Sequence, residues 1–505
     1  MGAPPVAGDQ GSSGPPVPPP VLVQPQAGGA VSVPPPLPTR GIEAPAAVKV
    51  DGPPRYLPSV YVADDPDSPC SQTNQAPLAD EVGGYTCIDL LFATNRAHPW
   101  VEPFSDYAYP ANPARFFRDR PLYDTGVRGA LYSTGRISVT VPKRLPGDPI
   151  QRFKHEERFL VFFSRHNTAS DEDRAKFFTT SDYEILPSDD FWQLAAEKLS
   201  LGDAVSSLPT SWQTDAGTVL VFVHGFRESL ESAAFRTAQL TYDLEFAGVP
   251  LFFSWPATSE TGLLSNLRYF NDVSDGVASV GDLKQFLLDV DQRLDPKRYV
   301  VVAHSHGNQV LLRALNEIAA ETPGGAPLFD AVIFASPDVD AYEFQRTMTR
   351  AAPLAGSKTL YAADVDKALG FRELMLELGG SISDEIKYMA GTLRPGSEAP
   401  EPVIVPGVDS IDVSDAVIGH LGGLSHLENV KDRFSHSIYG DSCDIIRDIR
   451  SILDDPTARP DQRLPGLAPV PASAMDGEVF WRFIPPTGGS EEDWCANRPT
   501  PAPAG

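Results

Sequence analysis

The chain has 505 residues and carries 67 acidic against 41 basic side chains, a formal net charge of -26 that argues against nucleic acid or an anionic membrane as partner. Hydrophobic residues at 42% and charged residues at 21% are globular values, enough for a large core. No apolar run approaches the ~20 residues that span a bilayer, so no membrane span is expected.

Residues 1–57 are mostly Pro, Gly, Ala and Val, with runs such as Pro34-Pro35-Pro36. That composition favours polyproline II and cannot form a packed core, so a disordered arm is expected. Residues 58–215 read as β-rich, with strands expected at 88–94, 135–141 and 158–163 from their β-branched and aromatic content. From 216 to 455 strands alternate with helices. Strands are expected at 218–223, 249–254, 299–303, 331–335, 359–362 and 410–413, and helices at 231–246, 280–293 and 445–453, among others. This alternation predicts an α/β fold with a mostly parallel central sheet and helices on both faces, to which the β-rich N-terminal part adds strands. The segment 372–406, rich in Gly, Glu and Pro, reads as an insertion able to form a lid. Residues 456–505 form a Pro-rich C-terminal tail, interrupted by an apolar patch at 479–484 that is expected to return as an edge strand.

Four cysteines, Cys70, Cys87, Cys443 and Cys495, lie in no metal-ligand spacing, so no zinc site is expected. Their even number fits two disulfides, Cys70–Cys87 and Cys443–Cys495, or four thiols. The opening Met1-Gly-Ala-Pro-Pro lacks the basic-then-apolar order of a signal peptide. A periplasmic or secreted location would require a signal removed beforehand, and the compartment stays open.

The chemistry concentrates in Tyr299-Val-Val-Val-Ala303-His304-Ser305-His306-Gly307-Asn308. An apolar strand runs into a serine with small residues two positions away on each side, then into a helical pattern. That is the form of a nucleophile elbow, which presents a serine oxygen at the edge of an α/β-hydrolase sheet. The following helix directs its positive N-terminal end at the same point. A serine hydroxyl needs a histidine base and an acid to orient it. Asp364 and Asp366 follow the strand at 359–362, and His420, His426 and His436 follow the last one, in the order Ser, acid, His. An oxyanion hole needs two backbone N–H groups. His306 supplies one, and Phe226 the other, in the loop His224-Gly225-Phe226 directly after an apolar strand. Trp255 and Tyr269 are candidate pocket residues beside His224, with core packing as the alternative.

These motifs together resemble a bacterial α/β-hydrolase family of unknown function whose members carry an Ala-His-Ser-Met-Gly-Asn elbow. The similarity runs from about residue 85 to 455. It includes Phe92-Ala-Thr94-Asn-Arg96, Val-Phe-Val-His224-Gly-Phe, Phe-Ser254-Trp255-Pro256, Ala335-Ser-Pro-Asp338 and Asp366-Lys-Ala-Leu369. His306 stands where the family usually has Met, and its side chain is expected to line the site. The resemblance implies Asp366 as the acid, with Asp338 as alternative, and His436 as the base ahead of His426 and His420. It also implies a serine esterase or lipase-like hydrolase acting on a small or polymeric ester, without metal or cofactor. An acyltransferase with the same triad, or a non-catalytic scaffold serving as a binding module, are the alternatives. Oligomeric state is not legible.

Overall fold

The computed structural model describes residues 70, 85–97, 118–121, 132–142, 178–203, 215–226, 228–257, 269–322, 324–364, 388–394, 400–416, 438–464 and 466–483. In chain order the elements are β1 (Tyr85–Thr94), β2 (Arg96–Ala97), β3 (Arg118–Pro121), β4 (Ser133–Pro142), β5 (Thr179–Leu186), α1 (Ser188–Asp203), β6 (Thr218–Val223), α2 (Leu230–Asp243) and β7 (Val249–Ser254). They continue with α3 (Tyr269–Ala278), α4 (Val280–Leu294), β8 (Arg298–His304), α5 (Gly307–Glu321), β9 (Phe329–Ala335), α6 (Ala341–Ala351), β10 (Ala355–Ala362) and β11 (Asp409–Asp412). The last are α7 (Ile438–Asp441), α8 (Cys443–Asp454), α9 (Pro460–Arg463), β12 (Leu467–Pro471) and β13 (Val479–Phe483).

Eleven strands form one sheet in the order β12-β13-β11-β10-β9-β8-β6-β7-β1-β4-β5. From β13 to β1 every neighbouring pair is parallel, and only the flanks, β12 on one side and β4 against β1 and β5 on the other, are antiparallel. The central strands read as continuous apolar runs because both faces are covered. In β6, Val219, Val221 and Val223 pack with α1, α4, α5 and α6, whereas Leu220 and Phe222 pack with α2 and α8 on the opposite face. The alternation follows from the two-residue period of a strand. The expected β-rich extension does join this sheet: β1 lies parallel to β7, with Leu91 opposite Leu251 and Thr94 opposite Ser254.

The extension is locked by charge as well as by backbone. The buried Asp89 carboxylate of β1 meets Arg136 Nε of β4 at 2.7 Å and Lys198 Nζ of α1 at 2.5 Å. Burial would raise its pKa, but the two cations outweigh that and hold it below the usual carboxylate value. Upstream, Cys70 and Cys87 form a disulfide. Cys443 is also disulfide-bonded, while Cys495 lies outside the described residues.

The expected strand at 158–163 falls outside the described residues, as does most of the 372–406 segment. Of its described residues, 388–394 pack over the carboxyl ends of β9 and β10. There Ala390 N–H donates to Val339 O at 2.8 Å and Gly391 N–H to Pro337 O at 3.0 Å.

Two expectations need correction. The helix expected over 231–246 ends at Asp243, because Glu245 adopts φ +50°. The patch at 479–484 is not an edge strand. β13 lies between β11 and β12, and the edge falls to β12, Leu-Ala-Pro-Val-Pro, whose prolines lack the N–H that an inner strand must donate. The Pro-rich stretch after Asp455 thus enters the sheet as far as Phe483.

Candidate active site

In an open parallel sheet, ligands bind at the carboxyl ends of strands where the strand order reverses. Here β6 is followed by β7 on one side, after which β8 returns to the other side of β6. The reversal therefore lies between β6, which ends before His224-Gly225, and β8, which ends before Ser305.

Ser305 has φ +52°, a left-handed conformation that costs a non-glycine residue about 1–2 kcal/mol. Such a residue persists where its surroundings over-determine it. Ser305 N–H donates to Ala335 O at 3.0 Å, and Ser305 O accepts from the N–H of both Asn308 and Asp338 at 3.1 Å each. The Asn308 side chain adds Nδ2 contacts to Ala303 O, Ser305 O and Ala335 O at 3.1, 3.1 and 3.2 Å. The turn is therefore bound by β9 and by the first turn of α5.

Two glycines bring the β6 loop against it. A Cβ on Gly225 would sit 2.9 Å from Ser305 Cβ and 3.0 Å from His304 Nδ1. A Cβ on Gly307 would strike the backbone carbonyls of Val223 and His224. Backbone oxygens cannot swing aside, so Gly307→Ala must push α5 away from β6. A misplacement of this kind is expected to slow reaction at Ser305 by about 10²-fold. Labelling by an organophosphonate at the wild-type rate in a folded Gly307→Ala variant would refute that coupling.

Around the turn, three aromatic rings stack. Trp255 lies against His224, with centroids 5.3 Å apart and planes at 7°, and against His306 at 5.3 Å and 31°. All three side chains are buried. His224 and Trp255, read from the sequence as pocket residues, form packing behind the site. Trp255 Nε1 donates to His224 O at 2.8 Å. His306 does not line the site with its side chain: its Nδ1 meets Asp338 Oδ2 at 3.1 Å, and Gly276 of α3 packs against its ring. The carboxylate of Asp338, the alternative acid, is engaged there. Phe226 lies three residues past the end of β6 and is half-buried.

Burial and the nearby Arg96 push the His224 pKa down to about 3, so its ring is neutral at ordinary pH. Arg96 is itself buried beneath the loop. Sequence reasoning gave neither Arg96 nor Ser254 a role, although both lie inside motifs that carry the family resemblance.

On the opposite flank, His304 packs 4.5 Å from the ring of Tyr439 in α7. Tyr439 also stacks on Phe222 at 6.1 Å and lies under the Arg236 guanidinium at 5.5 Å. Arg236 Nη1 pairs with Asp441 Oδ1 at 3.1 Å, and Gln239 Nε2 donates to Gly440 O at 2.7 Å. The segment just after His436 is thereby fastened to α2 and to the residue preceding Ser305. Asp366, His420, His426 and His436 lie outside the described residues, and Tyr269 opens α3 with its side chain likewise outside them. Among the described residues no group of three or more His, Cys, Asp or Glu could hold a metal ion.

The doubly covered parallel sheet and the strained Ser305 turn at its switch point define the class as an α/β-hydrolase. Residues 204–416 match the family described as "Alpha/beta hydrolase of unknown function (DUF900)". No curated protein matches the chain. The match includes β6 to β11 but not β1 or the strands after Asp455.

Proposed function

We propose that the protein is a serine hydrolase that cleaves carboxylic esters through an acyl-enzyme. The observation that carries this reading is the left-handed Ser305 between β8 and α5, pinned on its backbone and placed at the switch point. Strain of this kind has a use when a side chain must be raised out of a sheet edge.

Ser305 Oγ attacks the ester carbonyl carbon while His436 takes its proton. The imidazolium then returns that proton to the departing alcohol, and water, deprotonated by the same ring, releases the acid. Asp366 orients the imidazole, and the amides of Phe226 and His306 bind the oxyanion. His436 lies three residues before Tyr439, so the chain can separate the two by at most about 10 Å. Because Tyr439 touches His304, that short tether favours His436 over His426 and His420. Asp366 follows β10, two strands from β8, in the order that the triad requires.

The test is fluorophosphonate labelling of the folded protein with mass-spectrometric mapping, alongside turnover of nitrophenyl esters of increasing acyl length. Labelling confined to Ser305 and absent in Ser305→Ala is expected. Adducts elsewhere, or none, would overturn the assignment.

A further inference from the structure

Arg96 sits in β2, outside the matched domain, yet its guanidinium reaches the loop and strand end around His224. Its Nε donates to Ser254 Oγ at 2.8 Å, its Nη1 to Ala257 O at 3.2 Å, and its Nη2 to Glu228 O at 2.5 Å. The same Nη2 lies 3.4 Å from His224 Nε2, and Ser254 Oγ lies 3.2 Å from that nitrogen. On the far side of the ring, His224 Nδ1 is 2.9 Å from Gly225 O.

The proton positions follow from these partners. A carbonyl oxygen only accepts, so Nδ1 of the neutral ring carries the hydrogen and Nε2 presents its lone pair. Ser254 Oγ accepts from Arg96 and so has its own hydrogen left to give to Nε2. The result is a directed chain, Arg96 to Ser254 to His224 to Gly225 O. In a planar trans peptide the C=O and N–H point in opposite directions. Holding Gly225 O against the His224 ring therefore turns Phe226 N–H to the opposite side.

We propose that Arg96 is a positioning residue for the oxyanion hole, acting through Ser254 and His224 to fix the orientation of the Gly225–Phe226 peptide. The inference rests on the serine-hydrolase reading above and adds to it. The role assigned to His224 becomes orientation of a donor peptide, and a strand outside the matched domain becomes necessary for turnover.

The test compares His224→Leu, His224→Asn, Ser254→Ala and Arg96→Met in the full chain by steady-state ester hydrolysis, with melting temperature measured for each. Losing one oxyanion donor costs about 10²–10³-fold in kcat, so His224→Leu and Arg96→Met are expected to fall in that range with KM changed less than about threefold. Asparagine places an amide N–H near the position of Nδ1, so His224→Asn should recover kcat to within about tenfold of wild type. Packing alone would not separate the two His224 variants in this way. Should Arg96→Met not fold, the His224 pair and Ser254→Ala decide the matter. A folded His224→Leu with wild-type kcat, or an Asn variant no better than Leu, would overturn the positioning role while leaving the hydrolase intact. A wild-type protein that neither labels at Ser305 nor turns over any ester would overturn the underlying reading and this inference with it.

Discussion

Replacing Ser305 with alanine is expected to lower kcat for an activated ester by about 10⁵- to 10⁶-fold, and His436→Ala should do nearly as much. The losses should not add: the double variant should resemble either single one, because nucleophile and base act as a unit. Asp366→Asn should cost about 10⁴-fold, since an amide in place of the carboxylate favours the tautomer whose Nε2 already carries hydrogen and cannot accept the serine proton. Stability should move little in Ser305→Ala, because serine already bears the left-handed strain and the bonds that tie the turn to Ala335, Asn308 and Asp338 are made by its backbone. A thermal melt beside the kinetics separates the two effects. Residual turnover above about 1% in Ser305→Ala would exclude Ser305 as nucleophile on the magnitudes just given. Loss in His426→Ala with retention in His436→Ala would move the base instead.

Much of this architecture was legible because its strands are buried on both faces. The run Thr-Val-Leu-Val-Phe-Val of β6 and the valines of β8 admit no other reading once helical periods flank them, and their limits agree with expectation to within a residue. Boundaries slipped where packing and backbone conformation part company. Phe246 continues the apolar period of α2 and is fully buried, but it reaches the core from beyond the helix, after the turn at Glu245.

The environment of Ser305 was less legible than the turn itself. The Ser-x-Gly spacing and the loop after β6 are local patterns, and both fall at the switch point. Arg96 gives no such signal. An arginine just after a strand reads as solvated, yet it is buried against residues 128 to 161 positions away. His224 and Trp255 are polar or amphipathic side chains beside a reactive loop, which suggests a pocket until stacking and burial are seen. Where a buried polar network is assembled from three strand ends, only the fold reveals it.

The largest stability effect is expected far from Ser305. Arg463 of α9 and Asp448 of α8 are both inaccessible, with Nε and Oδ1 3.0 Å apart. Tyr361 of β10 donates to Asp448 Oδ2 at 2.7 Å, and Arg463 Nη1 donates to Thr359 Oγ1 at 3.1 Å. The pair thus fastens the C-terminal segment to the strand that leads to Asp366. Removing one partner leaves the other charge buried, so Arg463→Met or Asp448→Leu alone should cost about 3–5 kcal/mol in denaturant unfolding. The double variant should cost much less than the sum, because it leaves apolar groups of similar bulk and no orphaned charge. If each single variant cost less than about 1 kcal/mol, water must reach the pair, which would then behave as a surface bridge. Ester turnover per folded molecule should fall in the single variants, if β10 holds the acid only while α8 and α9 are docked. Turnover that stays constant while stability drops would instead make the C-terminal segment a brace for the sheet alone.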